Sequence, residues 1–406
     1  MNQATEDSAP CPDPAPAEGA LVTLDKPGGE RVELTAGADG TVVFDAIDWT
    51  LGAAAATASM DGHGMASHVG LTEADSPLTI RIPVQPVEWF ELSGSVTNMT
   101  DEANWLSITA VVPGSSVFMA TGSDYAVMVP AGAPFGLAAW EFAWDASTAD
   151  LGGTETALNW SWQEMDAITA DTTNDITFEG DGGVETETAS GSFNIDLTEG
   201  TPLSGSEGWG GAWVGAAWDG CGDWVGGVST YSASINAEGT AFDYTLEYMN
   251  VPSIPHYVTN YSIYSGFIFS MVRMDGLPTE GSHATDFLDV PVLPSLPAGG
   301  YELNGAPFTW ESAETNARPV LTVTTPDYTL TPMGLVGEYT WTIQGPVGAT
   351  SLAIPVLPEG GPLTEQIETG DHVGMLTLMR DAADSTPGLW LGALCGTQVF
   401  DVQYTP

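Results

Sequence analysis

Alternation of apolar and polar residues recurs from one end of the chain to the other and constrains the fold more than any other feature. A period of two is typical of half-buried antiparallel strands, because successive side chains of a strand point to opposite faces. No segment shows a sustained period of 3.6 residues with helix caps. We therefore predict an all-β fold of tandem β-sandwich modules. The clearest alternating runs are 78–84, 125–129, 158–162, 193–197, 242–248 and 339–343.

Pairs of an acidic residue followed by glycine occur between the predicted strands. Such pairs favour tight hairpins, because glycine readily adopts a positive φ. The Ala-rich stretch Ala53–Ala58 lies between Gly52 and one of these turns, so we predict a strand of small residues there rather than a helix. The pairs are Asp39-Gly40, Asp61-Gly62, Asp181-Gly182, Glu238-Gly239 and Asp275-Gly276.

The length and apolar content predict several folded modules. The chain has 406 residues, of which 43% are hydrophobic, and it includes 14 Trp. A module of this kind needs about 100–150 residues, so three or four are expected. The apolar volume suffices for buried cores, which argues against a disordered chain.

The composition is strongly acidic. Only 6 Lys and Arg stand against 54 Asp and Glu, giving a formal net charge of −48. Because nucleic-acid binding depends on basic residues that neutralise phosphates, we expect no nucleic-acid partner. The carboxylates suit Ca²⁺, but no EF-hand loop occurs and no calcium ligands are assigned, so no cofactor is predicted. The charge also suits a solvated surface in a salty or extracellular environment.

The N-terminal region predicts a tether outside the cell. Residues 1–17 are rich in Pro, Ala and acidic residues and are expected to be disordered. They carry neither the basic start nor the apolar run of an export signal, which we expect to have been removed. Cys11 is a candidate lipidation site, because its surroundings resemble the segment after the acylated cysteine of bacterial lipoproteins. No apolar stretch of about 18 residues predicts a membrane-spanning helix.

Proline-rich segments at the ends of predicted modules divide the rest of the chain into four predicted regions: 18–86, 87–175, 176–297 and 298–406. The first contains the strand 20–24, the turn Ala38-Asp39-Gly40-Thr41 with a strand over Val42–Phe44, and the exit 82–86. This order resembles the carboxypeptidase regulatory-like modules of bacterial surface lipoproteins. The resemblance implies a transthyretin-like (prealbumin-like), Ig-like sandwich and no particular activity.

The other three regions are also predicted to be β modules. Region 87–175 looks like a second, diverged Ig-like copy, and region 176–297 is rich in Gly and Trp. Region 298–406 resembles a fibronectin type III-like sandwich through Phe308-Thr309-Trp310 and the run 339–343.

One segment of the third region concentrates tryptophan and aspartate. Exposed indoles could stack on sugar rings while carboxylates accept hydroxyl hydrogen bonds, so we predict a ligand-contacting surface. Two alternatives stay open: indoles of β modules commonly fill the core, and exposed aromatic patches also mark protein contacts. The candidate residues are Trp209, Trp213, Trp218, Asp219, Asp223 and Trp224.

Two histidines are weak candidates for metal binding. His63 and His68 are five residues apart beside a tight turn, and Asp61 or Glu73 would supply an oxygen ligand for Zn²⁺ or Cu²⁺. The alternative is that they are solvated turn residues, since no further Cys or His completes the set.

Two cysteines remain beside the tether cysteine. In an exported chain Cys221 and Cys395 are expected to form a disulfide, and each is followed by a glycine that permits close approach. The alternative is a pair of buried free thiols.

No catalytic motif occurs: G-x-S-x-G, H-E-x-x-H, a P-loop and G-x-G-x-x-G are all missing. We therefore predict a non-catalytic extracellular or envelope-tethered binding or structural protein whose partner is a polysaccharide or another surface protein. The alternative is a carbohydrate-active enzyme, similar to glycoside hydrolases, with a carboxylate pair near the tryptophan-rich segment.

Overall fold

A computed structural model describes residues 16–82, 88–112, 117–132, 134–145, 154–178, 185–197, 203, 209–217, 226–230, 233–236, 238–254, 256–265, 268–278, 280–283, 287–293, 301–302, 307–325, 329–331, 334–336, 339–369, 372–381 and 389–403. These ranges consist mainly of strands, so the all-β prediction is confirmed. Their α-helix, α1, spans Thr364–Thr369, and two 3-10 turns span Trp49–Leu51 and Glu73–Asp75. None of the described helices has the length and apolar character needed to cross a bilayer.

The first region contributes four antiparallel strands in the order β2-β1-β3-β4. The Ala-rich stretch is a strand, as predicted, and its small side chains pack around Leu24. The connection from it to the next strand passes through Gly62 at φ 70°, in the predicted turn. The strands are β1 Leu21–Asp25, β2 Arg31–Thr35, β3 Ala54–Ser59 and β4 Met65–Leu71.

Two predicted strands of this region are wrong. Residues 41–48, which include the expected strand Val42–Phe44, form none. The Asp39 carboxylate accepts hydrogen bonds from the Thr41 N–H (3.0 Å) and hydroxyl (2.8 Å). These local bonds form a turn in place of hydrogen bonds to a neighbouring strand. Residues 78–82 of the run 78–84 are also irregular, and 83–84 lie outside the described residues.

The second region folds into a β-sandwich. One sheet has the order β10-β9-β6-β7, and the other pairs β5 with β8, β11 and β12. Leu92, Ile108 and Phe135 are among the buried residues of a core that belongs to this sandwich alone. The strands are β5 Trp89–Thr97, β6 Trp105–Val111, β7 Val117–Thr121, β8 Asp124–Pro130, β9 Phe135–Asp145, β10 Thr154–Met165, β11 Thr172–Thr173 and β12 Ile176–Thr177.

The third region divides its strands between two sheets. A sheet of order β16-β17-β13-β20 is built within the region, while β15, β14, β18 and β19 form one end of a larger sheet. Aromatic side chains fill the space between the two sheets, with Phe193 and Tyr261 rings 4.5 Å apart. The strands are β13 Thr186–Asn194, β14 Trp209–Ala217, β15 Gly226–Gly227, β16 Ala233–Ile235, β17 Ala241–Met249, β18 His256–Ser265, β19 Ile268–Asp275 and β20 Gly281–His283.

The fourth region completes the larger sheet, which has 13 strands. Its order is β15-β14-β18-β19-β29-β28-β23-β26-β4-β3-β1-β2, with β21 also paired to β29. Two short pairs, β22 with β27 and β24 with β25, lie apart from it. The strands are β21 Tyr301–Glu302, β22 Phe308–Thr309, β23 Arg318–Thr324, β24 Thr329–Thr331, β25 Gly334–Val336, β26 Thr340–Gln344, β27 Ser351–Leu352, β28 His372–Asp381 and β29 Leu389–Gln403.

The 13-stranded sheet crosses the predicted region boundaries. Strand β26 of the fourth region pairs in parallel with β4 of the first, and β19 of the third pairs with β29 of the fourth. The Trp341 indole N–H donates to Ser67 Oγ at 2.9 Å and so joins chain segments 274 residues apart. The sandwich of the second region, in contrast, pairs its strands within itself.

Candidate functional site

The structure describes little of the predicted tryptophan-rich surface. Trp209 begins β14, and Trp218, Asp219, Asp223 and Trp224 lie outside the described residues. The role assigned to these residues in ligand contact stays a prediction.

Trp213 is the member of that segment whose side chain is described. It is half-buried and pairs with Asn260 across the ladder between β14 and β18. Its neighbours Ala212 and Val214 are fully buried in the aromatic core, so Trp213 lies on the opposite face of the strand.

The two candidate metal-binding histidines lie at different places in the β3–β4 hairpin. His63 lies in the turn before β4, where its Nδ1 is 3.0 Å from the Asp61 carbonyl oxygen. His68 is buried inside β4. Burial lowers the pKa of His68, and the positive charge of Arg318 lowers it further. Within the described ranges, no three His, Cys, Asp or Glu side chains gather into a metal-binding group.

The predicted disulfide cannot be placed, because Cys221 lies outside the described residues, as does Cys11. Cys395 pairs with Ile268 at one end of the β18–β19 hairpin, and Ala217 pairs with His256 at the other. The bridge therefore stays a prediction.

An aromatic surface lies elsewhere, on the outer face of the β10-β9-β6-β7 sheet. Alternate residues of β9, such as Leu137 and Ala139, belong to the sandwich core, so the residues between them point to the other face of the sheet. The central part of that face packs into the core that the third and fourth regions share, and its ends reach solvent. The strand register adds the neighbours on β6, β7 and β10. We call this surface the tryptophan face; its residues are Trp105, Met119, Trp140, Phe142, Trp144, Trp160 and Trp162.

Two rings of the tryptophan face are open to solvent. Trp105 is 38% exposed and Trp144 is 40% exposed. Trp105 stacks on the buried Phe142, with ring centroids 6.3 Å apart and planes 18° apart. Trp140, also buried, stacks on Trp160 at 5.7 Å. The exposed Trp105 indole thus rests on a buried aromatic ring, and such an indole can bind a flat apolar face without repacking.

Trp140 also approaches the edge of the 13-stranded sheet. A β-carbon built on Gly227 would lie 3.8 Å from the Trp140 ring. Residues 226–227 directly follow the predicted tryptophan-rich segment in the chain. Gly227, which follows that segment in the chain, therefore adjoins the buried part of the tryptophan face.

A buried carboxylate fixes β9 from the opposite face. Glu141 is fully buried and accepts hydrogen bonds from the N–H groups of Thr100 and Asp101 and from the side-chain amides of Asn104 and Asn159. Burial by itself raises the pKa of Glu141, but these hydrogen bonds outweigh it, so the pKa lies below its usual value. The ionised carboxylate holds the loop between β5 and β6 against β9.

The spacing of aromatic residues in the sequence indicates this face. The residues Trp140, Phe142 and Trp144 repeat at a spacing of two, as do Trp160 and Trp162. Such spacing places each set on one face of a strand. Composition instead directed attention to residues 209–224, where tryptophans are denser but irregularly spaced.

Comparison with known proteins identifies no family. No family profile matches the chain, and no curated protein matches it. A candidate adhesin from Bacteroides ovatus is 8% identical over 44% of this chain and 74% of that chain, with a TM-score of 0.15. A Streptococcal ancillary pilin is 9% identical over 78% and 98%, with a TM-score of 0.14. Immunoglobulin domains 1–5 of Sidekick-1 are 10% identical over 95% and 72%, with a TM-score of 0.11. At these TM-scores the likenesses identify neither a family nor a function for this chain.

Proposed function

We propose that this chain is a non-catalytic extracellular protein that contacts a polysaccharide or another surface protein through the tryptophan face. The observation that carries the proposal is the exposure of Trp105 and Trp144 on one face of the sheet, where Trp105 stacks on the buried Phe142. Exposed aromatic patches on a folded surface mark binding sites, because their burial in a complex is favourable.

The charge supports a location outside the cell. A net charge of −48 keeps such a chain soluble and is tolerated best where salt screens repulsion between carboxylates. The same negative charge repels nucleic acid and anionic lipid. Attachment to an envelope through Cys11 is a further part of the proposal.

The described carboxylates of the tryptophan face favour binding over catalysis. On the four strands of this sheet, that face carries Glu155 beside Trp144 and Glu164 beside Gly136. Nine residues of one strand separate them, or about 30 Å. A glycosidase needs two carboxylates about 5–10 Å apart, so this pair does not supply a catalytic site on the tryptophan face. The carbohydrate-active enzyme with a carboxylate pair near residues 209–224 stays an alternative prediction.

The proposal is tested with an array that carries both glycans and purified extracellular matrix proteins. Labelled wild-type chain is compared with the double variant Trp105→Ala, Trp144→Ala. Val347→Ala, a variant of an exposed apolar residue outside the sandwich, is the matched control. We expect the wild type and the control to bind the same spots and the double variant to lose them.

Thermal unfolding of the three proteins controls for loss of structure. Binding that survives the double substitution, or no binding by the folded wild type, would overturn the proposed function.

A further inference from the structure

The two exposed indoles of the tryptophan face are neighbours. Trp105 pairs with Phe142 across the β6–β9 ladder, and Trp144 lies two residues further along β9 on the same face. Diagonal neighbours of this kind are about 7–8 Å apart in an antiparallel sheet, so one side chain of a partner can reach both rings. The stacking of Trp105 on the buried Phe142 holds its ring in place before any partner binds.

Carboxylates lie beside these rings. Asp101 and Glu102 are exposed in the loop that leads into β6, and Glu102 is three residues from Trp105, or at most about 11 Å along the chain. The hydrogen bonds from the N–H groups of Thr100 and Asp101 to the Glu141 carboxylate fix this loop against β9. The two loop carboxylates are therefore held close to the exposed indoles.

The sandwich contributes only negative charge to the surface around the indoles. Residues 88–178 include 13 Asp and Glu but no Lys, Arg or His. Glu155, which pairs with Trp144 across the β9–β10 ladder, places a further carboxylate on the face itself. Because complementary charge directs association, this surface favours a cationic partner over a neutral or an anionic one.

The indoles indicate which cation fits best. The face of an indole attracts a cation held over it, and arginine makes this contact more often than lysine because its planar guanidinium also stacks. The guanidinium has five N–H donors, so it can bind a carboxylate while it stacks. A neutral sugar also stacks on indoles but gains nothing from the negative charge beside them.

We propose that the two exposed indoles and the two loop carboxylates form a docking site for an arginine-rich segment of another protein. The site consists of Asp101, Glu102, Trp105 and Trp144. Arginine side chains of the partner stack on the rings and pair with the carboxylates. This inference rests on the proposed function and narrows its partner from a polysaccharide or a surface protein to a protein with a basic segment.

The experiment measures the binding of labelled peptides to the full chain by fluorescence anisotropy. The probe is a dodecapeptide of alternating Arg and Gly, and Lys-Gly and Glu-Gly peptides of the same length are its counterparts. Unlabelled cellohexaose is added as a competitor. Titrations are run at about 0.15 M and about 0.5 M NaCl, because salt screens ion pairs between exposed groups more than it weakens stacking.

The variants separate the rings from the charges. Trp105→Ala combined with Trp144→Ala removes both rings, and Glu102→Gln removes one charge beside them. Glu164→Gln is the matched control, because it removes the same charge from the same face at the opposite end of the sheet. Thermal unfolding establishes that each variant is folded. If the double variant unfolds, the comparison of Glu102→Gln with Glu164→Gln decides the outcome.

We expect the Arg-Gly peptide to bind, the Lys-Gly peptide to bind more weakly and the Glu-Gly peptide not to bind. At the lower salt concentration the double variant should weaken the affinity for the Arg-Gly peptide about fivefold to thirtyfold. Glu102→Gln should weaken it about twofold to fivefold, and Glu164→Gln by less than about 1.5-fold. At the higher salt concentration the effect of Glu102→Gln should shrink, while that of the double variant persists.

Three results would overturn the docking site. The first is an equal loss of affinity in Glu102→Gln and Glu164→Gln, or no loss in a folded double variant, since the peptide would then respond only to the net charge of −48. The second is no binding of the Arg-Gly peptide. The third is its displacement by cellohexaose, which would indicate a sugar site. If array spots depend on Trp105 and Trp144 while the peptide does not bind, the proposed function stands and this inference fails.

Discussion

The sandwich of residues 88–178 and the 13-stranded sheet differ in how far apart along the chain their hydrogen-bonded strands lie. In the sandwich, the Ser95 N–H and the Asp175 carboxylate, 80 residues apart, join the first and last strands. In the large sheet, the bond between Trp341 and Ser67 joins segments 274 residues apart. Closing a longer loop costs more chain entropy and slows folding. We therefore expect the core between the two sheets of the sandwich, whose residues all belong to that region, to be the more autonomous unit.

Trp341→Ala should produce the largest effect and separate the two regions. The indole is fully buried and donates to Ser67 Oγ, which also bonds to Thr57, so its loss leaves a cavity and removes one of the two hydrogen bonds of that hydroxyl. We expect the large sheet to lose about 3–5 kcal/mol of its free energy of unfolding. Hydrogen exchange read by mass spectrometry should show faster exchange in β4 and β26 but unchanged exchange in β6 and β9. Equal acceleration in all four strands would mean that the regions unfold as one.

Glu141→Gln should destabilise the sandwich by about 2–3 kcal/mol in chemical denaturation. The substitution removes a charge that accepts several hydrogen bonds and turns an amide donor toward the N–H groups of Thr100 and Asp101. Glu164→Gln, an exposed position on β10, is the control and should change the free energy of unfolding by less than about 0.5 kcal/mol.

The same substitution predicts a pH dependence. The pKa of Glu141 is lower in the folded chain than in the unfolded one. The stabilisation that the ionised carboxylate gives to the folded chain is therefore fully present above pH about 4.3 and is lost as the pH falls through the folded pKa. The difference in stability between wild type and Glu141→Gln should shrink in that acidic range. A difference that grows on acidification would contradict this assignment.

Gly136→Ala should lower the free energy of unfolding of the sandwich by about 1–3 kcal/mol, because it displaces a side chain of the tryptophan face. A β-carbon at Gly136 would lie 2.0 Å from the Trp162 ring, so the indole must move. Tryptophan fluorescence and the melting temperature should both change. A variant identical to the wild type in both would show that the Trp162 ring does not lie over Gly136.

The smallest expected effect concerns His68. Its pKa is lowered by burial, so the folded chain binds this proton less readily than the unfolded chain does. His68 therefore stabilises the large sheet fully above pH about 6.5, and that contribution is lost as the pH falls below it. His68→Gln should flatten the dependence of the melting temperature on pH between about 5 and 7. An unchanged slope would contradict the assignment.

The sequence predicted the fold class and many individual strands. The alternation in 125–129, 158–162 and 242–248 lies within β8, β10 and β17. The first and third of these runs bury one face of their strand against a core. The turn at Asp39-Gly40 was recognised, but its hydrogen bonds to Thr41 replaced the strand expected after it.

The candidate site was harder to predict, because it depends on strand pairing. The tryptophan face exists because β6, β9 and β10 lie side by side in a register that aligns Trp105 with Phe142 and Trp140 with Trp160. Alternation shows which residues share a face of one strand but not which strands are neighbours. Trp341 and Met65 illustrate the same point in the large sheet, since nothing local predicts their pairing.

The central claim, that the sandwich presents Trp105 and Trp144 as its contact surface, is tested most directly by oxidising the folded chain with limiting N-bromosuccinimide and mapping modified tryptophans by peptide mass spectrometry. The account predicts that Trp105 and Trp144 react well before Trp140 and Trp341, whose exposures are 5% and 0%, and that a bound partner protects the first two. Reaction of Trp140 or Trp341 as fast as Trp105, or a bound partner that leaves Trp105 and Trp144 equally reactive, would contradict it.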